Sequence, residues 1–211
     1  MKLLVTAGPT REPIDAVRFI TNASSGQMGY AVAAAGAAAR MEVTLLSGPV
    51  ALAAPAGCRV EHFVTVADLK GLLESRFGGC DALVMAAAVG DFTIQKVAAG
   101  KLHRASAPVT LTLLPTEDLL AGLARRKKPG QRIVAFAVEE PPPDRAQAAA
   151  AAKLSAKGAD FIVVNTPAAM AADASEAAIL SPAGAVLPWA RRTKTELARQ
   201  IIRLLVPSAS R

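Results

Sequence analysis

Residues 21–29 place two amides, three hydroxyls and two glycines directly before an uncharged, alanine-rich segment. Within this stretch Asn22 is followed by Ser24, Ser25 and Gly26. The first backbone N–H groups of a helix have no partner inside the helix, and they point outward from its first turn. With neighbouring side-chain donors they form a binding place for an anion, most often a phosphate. We therefore predict the centre of the chemistry here; the alternative is that Ser24 and Ser25 only cap the helix.

The small residues Ala87 and Ala88 follow a predicted strand and lead to the carboxylate of Asp91. Small side chains allow a ligand to approach the backbone closely, and a carboxylate can hold a ribose hydroxyl or a metal-bound phosphate. Taken alone, Asp91 is also a good helix cap. These residues indicate a ligand site if they lie at the same sheet edge as residues 21–29.

An aromatic residue and a pair of lysines complete the candidate set. Phe136 ends a predicted strand and could stack on a base, although a single phenylalanine more often lies in a core. Lys153 and Lys157 stand one helical turn apart and therefore share a helix face. In isolation such a face is simply solvated, so it is the combined placement of all these groups at one sheet edge that favours a ligand site.

Strands and helices alternate along the chain, and this order determines where the polar groups lie. The hydrophobic pattern predicts strands at 2–7, 42–46, 58–63, 81–86, 133–136 and 160–164, and helices at 26–39, 66–76, 117–124, 145–157 and 193–205. Turn residues at 182–184 predict a hairpin before the last helix. We therefore predict one domain over 1–211, with a doubly wound, mostly parallel, Rossmann-like α/β sheet that has helices on both faces and binds its ligand at the carboxyl ends of its strands.

Two polar segments fall outside this alternation. Residues 8–25 form a long connection after the first strand, and long loops in compact domains generally carry function. Residues 92–110 contain Lys96, Lys101 and His103 but few long apolar side chains. We interpret 92–110 as a flap, or two-strand arm, over the site. Arms of this kind often rest on a partner subunit, which favours a homodimer.

The composition narrows the choice of partner. Lys and Arg number 24 against 17 Asp and Glu, and the resulting net charge of +7 suits nucleic acid, a membrane surface or a phosphorylated small substrate. Only 4% of the residues are aromatic and none alternates with the basic cluster at 125–128, so we expect no nucleic-acid partner. No apolar run approaches the length of about eighteen residues that a membrane span requires, so we expect no membrane partner.

Two cysteines without a secretion signal predict reduced thiols in a cytoplasmic protein.

The motifs of several common enzyme classes are absent from the sequence. The dinucleotide fingerprint G-x-G-x-x-G is reduced to Gly26 and Gly29, and the phosphate-binding sequence G-x-x-x-x-G-K-[ST] does not occur. The one tyrosine, Tyr30, lacks a lysine four residues later. Two histidines in unrelated contexts give little support to a serine hydrolase or a histidine metal centre, so we predict no metal site built from protein ligands.

Two motifs, at residues 8–18 (GPTREPIDAVR) and 22–29 (NASSGQMG), closely resemble the opening of phosphopantothenoylcysteine synthetase, the ligase domain of bacterial coenzyme A biosynthesis. The likeness covers essentially the whole chain, and the first motif is long enough to be specific. It continues through residues 86–92, 100–102 and 133–139, Lys153 with Lys157, Asn165, Lys194 and Glu196.

The resemblance implies a ligation in two steps. A nucleoside triphosphate, CTP in most bacterial members, activates the carboxylate of 4′-phosphopantothenate as an acyl-nucleotidyl anhydride and releases pyrophosphate. The amino group of L-cysteine then displaces CMP. Cations and Mg²⁺ near the phosphates are implied, because the enzyme must bring two polyanions together.

The resemblance also implies roles for individual residues. Lys101 on the flap would neutralise the triphosphate during activation, and Asn22 would orient the acyl intermediate for transfer to cysteine. The positions near phosphate would be Ser24, Ser25 and Gly26, and those that allow close approach would be Ala87 and Ala88. The remaining nucleotide-binding positions would be Asp91, Glu117, Asp118, Leu119, Leu120, Phe136, Lys153 and Lys157.

Several positions depart from the family pattern. The flap reads Lys101-Leu102-His103-Arg104 where three or four lysines around one apolar residue are common, and Gln27 stands where lysine is common. Glu117 and Glu140 replace a common proline and a common threonine. The choice of CTP or ATP stays open, as do two other classes: a non-catalytic nucleotide-binding module and a basic nucleic-acid-binding protein. Because the flavin-dependent decarboxylase domain often fused upstream is absent, we expect a stand-alone ligase or a fragment of a bifunctional chain.

Overall fold

The computed structural model describes residues 1–104, 108–140, 142–170 and 172–206. Its strands are β1 (Lys2–Ala7), β2 (Arg11–Pro13), β3 (Phe19–Thr21), β4 (Glu42–Ser47), β5 (Cys58–His62), β6 (Ala82–Met85), β7 (Phe92–Ile94), β8 (Leu113–Pro115), β9 (Arg132–Val138), β10 (Phe161–Asn165), β11 (Ala174–Ser181) and β12 (Gly184–Thr193). Its α-helices are α1 (Gln27–Ala38), α2 (Val66–Arg76), α3 (Leu119–Ala124), α4 (Pro143–Lys157) and α5 (Lys194–Leu205). Short 3₁₀ helices follow α2 and β10.

The central sheet has eight strands in the order β12-β11-β10-β9-β6-β1-β4-β5. The strands from β10 to β5 in this order run parallel, and β11 and β12 add an antiparallel hairpin at one edge. The chain builds outward from β1 through β4 to β5 and then returns to β6 on the other side of β1. The strand order therefore reverses between β1 and β6, which is where ligands bind in sheets of this kind. The predicted doubly wound, mostly parallel α/β sheet is confirmed.

Helices cover both faces of the sheet. One core lies under α1 and α5, where Val5 of β1 and Leu197 of α5 belong to the same buried cluster. The other core lies under α2, α3 and α4 and includes Leu69, Leu120 and Leu154. The parallel strands are thus buried from both sides, which explains why their sequences are continuous apolar runs rather than alternating ones.

Helix α1 lies very close to β1 because Gly29 has no side chain. A Cβ atom added at Gly29 would stand 2.5 Å from Ala7 Cβ and 2.7 Å from the carbonyl oxygen of Thr6. Only glycine fits at such a distance. The close approach brings the first turn of α1 to the carboxyl end of β1.

Helix α5 begins with a capping box at the end of β12. The Thr193 hydroxyl accepts a hydrogen bond from Glu196 N at 3.2 Å, and the Glu196 carboxylate accepts one from Thr193 N at 2.8 Å. The backbone and side-chain hydrogen bonds from Thr193 lower the pKa of Glu196. The box fixes the point where β12 becomes α5, and so it places Lys194 at the carboxyl edge of the parallel strands.

Two connections differ from the sequence prediction. Residues 8–25, predicted as a loop, contain the small antiparallel hairpin of β2 and β3. The arm predicted at 92–110 has its second strand outside those bounds, because β7 pairs with β8. Strand β8 adds Leu113 and Leu114 to the arm, and together with Phe92 they give it large, exposed apolar side chains.

Membrane crossing by a helix requires a length and hydropathy that no helix in the described part of the chain combines.

Candidate active site

A cleft of about 610 Å³ opens at the carboxyl edge of the sheet, where the strand order reverses. Its lining includes every residue that the sequence predicts to bind or activate a substrate, except Lys101. These lining residues are Asn22, Ser24, Ser25, Gly26, Ala87, Ala88, Asp91, Glu117, Asp118, Leu119, Leu120, Phe136, Lys153 and Lys157. The fold thus brings distant parts of the chain together, while the roles of the individual residues stay predictions.

Asn22 joins the loop after β3 to the segment that follows β6. Its side-chain amide donates hydrogen bonds to the backbone oxygens of Ala88 and Val89, both at 3.1 Å. A carboxylate at this position has no proton to donate near neutral pH and could make neither bond. Asn22 therefore holds the small residues beyond β6 in place as well as lining the cleft.

The segment beyond β6 is fixed from a second side by threonine hydroxyls. The Thr10 hydroxyl accepts a hydrogen bond from Gly90 N at 2.9 Å, and the Thr116 hydroxyl donates one to Gly90 O at 2.6 Å. Asp91 follows this fixed turn and is exposed beside the cleft. It precedes strand β7 rather than a helix, so the helix-cap interpretation of Asp91 is wrong.

The first turn of α1 faces the cleft, and the N-cap residue of this helix is a glycine. Gly26 precedes the helix in the left-handed backbone conformation, with φ of 76°, which favours glycine. The N-cap residue Gly26 makes no side-chain capping bond, and the first turn of α1 contains no acidic residue. Ser24 accepts only a long hydrogen bond of 3.4 Å from Gly26 N, outside the helix. The positive end of the α1 dipole therefore points into the cleft, where it favours an anion.

Three ion pairs between charged side chains lie at or beside the wall formed by α3 and α4, and one of them joins α2 to the residues before α3. The pairs are Lys153 with Glu139 at 2.6 Å, Lys157 with Asp118 at 2.9 Å, and Lys70 with Glu117 at 2.8 Å. The shared face predicted for the two lysines of α4 therefore does turn towards the cleft. Their charges are largely compensated by the neighbouring carboxylates.

Asp118 belongs to this wall and also caps α3. Its carboxylate accepts a hydrogen bond from Ala121 N at 3.0 Å in addition to the bond from Lys157. Burial raises the pKa of Asp118, but the hydrogen bonds from Lys157 and from the first turn of α3 outweigh burial, so the pKa lies below its ordinary value. The helix predicted from residue 117 begins at Leu119. Glu117 and Asp118 therefore precede the helix.

Phe136 lies half-buried between the cleft and the core under α1 and α5. The neighbouring Ala135 and Ala137 belong to the opposite core, as the alternation of a strand requires. One side of Phe136 thus packs in a core while it also borders the cleft, so both interpretations of the residue stand. Leu119 and Leu120 are almost wholly buried and contribute little side-chain surface to the cleft.

Lys101 is exposed and does not line the cleft of its own chain. The next residue, Leu102, is held by the turn between β2 and β3, because its N–H donates to Asp15 at 3.0 Å and its carbonyl accepts from Arg18 at 2.5 Å. The ion pair with Arg18 holds the pKa of the buried Asp15 well below its usual range. The flap is therefore anchored beside its basic segment, with Lys101 facing outward.

The cleft also contains polar residues to which the sequence interpretation assigned no role: Gln27, Thr116, Asn165, Ser175 and Lys194. Asn165 and Lys194 belong to the motifs of the family resemblance, which was the one signal that could have found them. Ser175 and Lys194 reach the cleft because the β11–β12 hairpin pairs with β10. The hydrophobic pattern predicts this hairpin but not the strand against which it packs.

The part of the chain that the structure describes contains no group of three or more His, Cys, Asp or Glu side chains suited to a metal ion. Mg²⁺ is commonly held by one or two carboxylates together with substrate phosphates rather than by a cage of protein ligands. Asp91 lines the cleft and forms no ion pair among the described residues. The donor set therefore fits a cation that arrives with a phosphate.

Comparison with known proteins shows the family to which the chain belongs. Residues 1–208 match the family model described as DNA/pantothenate metabolism flavoprotein C-terminal domain. The coenzyme A biosynthesis bifunctional protein CoaBC of Mycobacterium bovis is 40% identical over 97% of this chain and 52% of that protein. A cysteine/cysteine sulfinic acid decarboxylase from an unknown prokaryotic organism is 38% identical over 97% of this chain and 58% of that protein. The chain thus spans little more than half the length of these relatives.

A solved structure supports the same relationship. The crystal structure of the C-terminal domain of a coenzyme A biosynthesis bifunctional protein CoaBC has a TM-score of 0.79 and 30% identity, over 97% of this chain and 93% of that one. These matches confirm the family resemblance that the motifs at 8–18 and 22–29 indicate. The chain belongs to the family of DNA/pantothenate metabolism flavoprotein C-terminal domains.

Proposed function

We propose that the chain is a ligase that joins 4′-phosphopantothenate to L-cysteine through an acyl-nucleotidyl intermediate, with CTP as the activating nucleotide. The observation that carries this proposal is the composition of the cleft. Residues to which the family likeness assigns the nucleotide and the acyl intermediate line one cavity at the reversal of strand order. Membership of the family and the 40% identity to a protein named for coenzyme A biosynthesis support the same activity.

The proposed chemistry requires that two anionic substrates lie side by side. A carboxylate is a poor electrophile, and its conversion to an acyl-nucleotidyl anhydride supplies CMP as a leaving group for the amine of cysteine. The chain contributes mainly by positioning the reacting groups. In the proposal the nucleotide lies along the wall of α3 and α4, beside Asp118 and Lys157, and the acyl intermediate lies at Asn22. Lys101 brings positive charge to the triphosphate.

Mg²⁺ enters the proposal as the companion of the triphosphate. Asp91 is the carboxylate that would hold the ion, and phosphate oxygens and waters would supply its other ligands. When bound, Mg²⁺ neutralises phosphate charge as a Lewis acid.

The proposal includes a homodimer and a cytoplasmic setting. Lys101 is exposed and does not line the cleft of its own chain, and the arm also exposes apolar residues, with Phe92 53% and Leu113 42% exposed. Exposed apolar side chains of this size are common at protein interfaces. The two cysteines, Cys58 and Cys80, are free thiols, which is the usual state in a reducing compartment.

The proposal is tested by following both half-reactions separately. Protein, Mg²⁺, 4′-phosphopantothenate and either CTP or ATP are mixed first, and pyrophosphate is measured. L-cysteine is then added, and mass spectrometry detects the nucleoside monophosphate and the ligated product. We expect pyrophosphate before cysteine is added and the ligated product only afterwards, with CTP the better nucleotide.

Three other outcomes would reject the ligase. Absence of pyrophosphate with both nucleotides, while nucleotide still binds, would favour the non-catalytic nucleotide-binding module. Release of carbon dioxide from cysteine without nucleotide would instead agree with the name of the decarboxylase relative. Affinity for DNA or RNA that falls steeply with salt would favour the nucleic-acid-binding alternative.

A further inference from the structure

The charged side chains that line the cleft divide into compensated and uncompensated groups. Lys153, Lys157 and Glu117 each form an ion pair with a neighbouring residue of opposite charge. Lys194 forms no ion pair among the described residues. The positive charge that the wall of α3 and α4 offers to an anion is thus largely compensated, and that of Lys194 is not.

The two hydrogen bonds of the Lys194 side chain go to neutral acceptors. Its ammonium donates to the Gln27 side-chain oxygen at 2.7 Å and to the backbone oxygen of Ala172. Burial lowers the pKa of Lys194, and the nearby charge of Asp173 opposes that shift only in part. A half-buried ammonium held only by neutral oxygens gains most from a neighbouring anion.

The position of Lys194 agrees with this charge argument. Lys194 is the first residue of α5, and its partner Gln27 is the first residue of α1. These two helices pack on the same face of the sheet. A capping box satisfies the backbone at the start of α5, whereas the N-cap residue of α1 is Gly26, which has no side chain to form a cap. The ammonium and the positive end of the α1 dipole therefore act on the same end of the cleft.

We propose that Lys194 binds a phosphate group of a substrate at the α1 end of the cleft, opposite the ion-paired wall of α3 and α4. The inference rests on the proposed function for the identity of the substrate but not for the chemistry of the subsite. A phosphate at this end comes either from the nucleoside triphosphate or from 4′-phosphopantothenate. Gln27 holds the ammonium in place through a neutral oxygen and leaves its charge free for the ligand.

The first experiment measures binding of inorganic pyrophosphate by calorimetry and needs no turnover. Lys194→Met removes the charge and keeps the length of the side chain. We expect the dissociation constant to rise about ten- to a hundredfold, as for the loss of a hydrogen bond from a charged group. Lys194→Arg keeps the charge and is expected to retain most of the affinity. Lys2→Met, at the opposite edge of the sheet, loses the same net charge and serves as the matched control.

A second variant tests the role of Gln27 without removing the lysine. Gln27→Glu has nearly the same shape but supplies a carboxylate to the Lys194 ammonium, so it competes with the ligand. We expect it to weaken pyrophosphate binding as well, and more strongly than Gln27→Met, which removes the acceptor but adds no charge. Circular dichroism checks that each variant is folded.

The source of the phosphate is identified by matched pairs of ligands. CTP is compared with cytidine, and 4′-phosphopantothenate with pantothenate, on the parent chain and on Lys194→Met. The phosphate that meets Lys194 belongs to the ligand whose affinity falls in the variant while that of its dephosphorylated form does not. The subsite would be overturned if Lys194→Met and Gln27→Glu both bound pyrophosphate, CTP and 4′-phosphopantothenate as tightly as the parent chain does. Loss of pyrophosphate binding in Lys194→Met together with no turnover in the parent chain would overturn the ligase proposal and leave the subsite standing.

Discussion

The side chain of Asn22 lines the cleft while its amide protons are directed at the backbone oxygens of Ala88 and Val89. Replacement by aspartate keeps the shape but removes both donors and sets a negative charge beside those two oxygens. The segment beyond β6 is still held by Thr10 and Thr116. We therefore expect the variant to keep its fold. The backbone of Ala88 and Val89 should shift, and with it the wall of the cleft beside the proposed acyl intermediate.

We predict that Asn22→Asp impairs transfer of the acyl group to cysteine more than it impairs activation. Transfer should slow about a hundredfold, the scale of effect expected when reacting groups are misplaced. Rapid-quench measurement should then show the acyl-nucleotidyl intermediate accumulating after pyrophosphate release. Equal losses in both half-reactions would contradict this division of labour.

For Lys101→Ala we predict the opposite pattern. Pyrophosphate release should fall about a hundredfold because the flap no longer brings its positive charge to the triphosphate. Lys96→Ala is a suitable control, since Lys96 is another exposed lysine of the same flap. Similar rates in the Lys101 variant and the parent chain would show that the family role does not apply to this residue.

At the level of single residues, motif resemblance identified the cleft lining better than it identified the partners within the lining. Lys153 and Lys157 were predicted as one face of a helix, but their pairing with Glu139 and Asp118 depends on how α4 packs beside β9 and α3. Lys194 had no predicted role, because its distance from Gln27 along the chain gives no indication of contact. Such pairings follow from tertiary packing, which local patterns do not contain.

The contact between α1 and β1 gives a prediction for a single element. In Gly29→Ala the new methyl group would overlap Ala7 Cβ and Thr6 O, so α1 must move away from the sheet. We expect a loss of about 1–3 kcal/mol in the free energy of unfolding, as for overpacked cores. Urea unfolding measures this value, and nucleotide affinity should fall with it, because the first turn of α1 borders the cleft.

Gly71→Ala is the matched control for that experiment. Gly71 lies in the middle of α2, and a Cβ atom there would meet nothing within 4 Å. Alanine is a better helix former than glycine by about 0.5–1 kcal/mol, so this variant should gain stability. A similar stability change in both variants would show that helix propensity, rather than the contact with β1, decides the effect at Gly29.

Elements with a long, regular pattern were predicted close to their observed bounds, and short ones were not. The helix predicted at 66–76 is observed as Val66–Arg76, since a threonine and an aspartate mark its start. The strands β2, β3, β7 and β8 have three residues each. Three residues give no periodicity to detect, and these strands are held by neighbouring segments rather than by their own sequence.

On the scale of the whole molecule, both the arm and the hairpin of β2 and β3 expose apolar side chains. Val17 is 61% exposed, and Phe19 and Phe92 are also exposed. The flap is anchored to the turn of this hairpin through Leu102. A second copy of the chain seated on this surface would cover it and would meet Lys101 as it faces outward.

We predict that variants damaged at different residues restore each other when mixed. If Lys101 serves the cleft of a partner, a mixed dimer of Asn22→Asp and Lys101→Ala contains one cleft with both residues intact. Random assortment should then recover about a quarter of the parent activity, since half of the dimers are mixed and each has one intact cleft. Native mass spectrometry confirms that mixed dimers form. Mixed dimers without recovered activity would show that Lys101 acts on its own chain.

The overall fold followed from the sequence because alternating strands and helices leave few arrangements open. Right-handed crossovers and burial on both faces then determine a doubly wound sheet. What the alternation did not determine is where the β11–β12 hairpin attaches. Its pairing with β10 is a long-range choice, and it decides that the last helix starts at the cleft rather than away from it.

That attachment links ligand occupancy to local motion at the end of the chain. Helix α5 carries Lys194 on its first turn, while Leu197 and Ile201 further along anchor it in the core under α1. A phosphate held by Lys194 would oppose fraying of that first turn, and the effect would pass to the amides of the next turns through the same helix. Slower hydrogen exchange along α5 would therefore report occupancy of the cleft from outside it, even for a ligand that is never turned over.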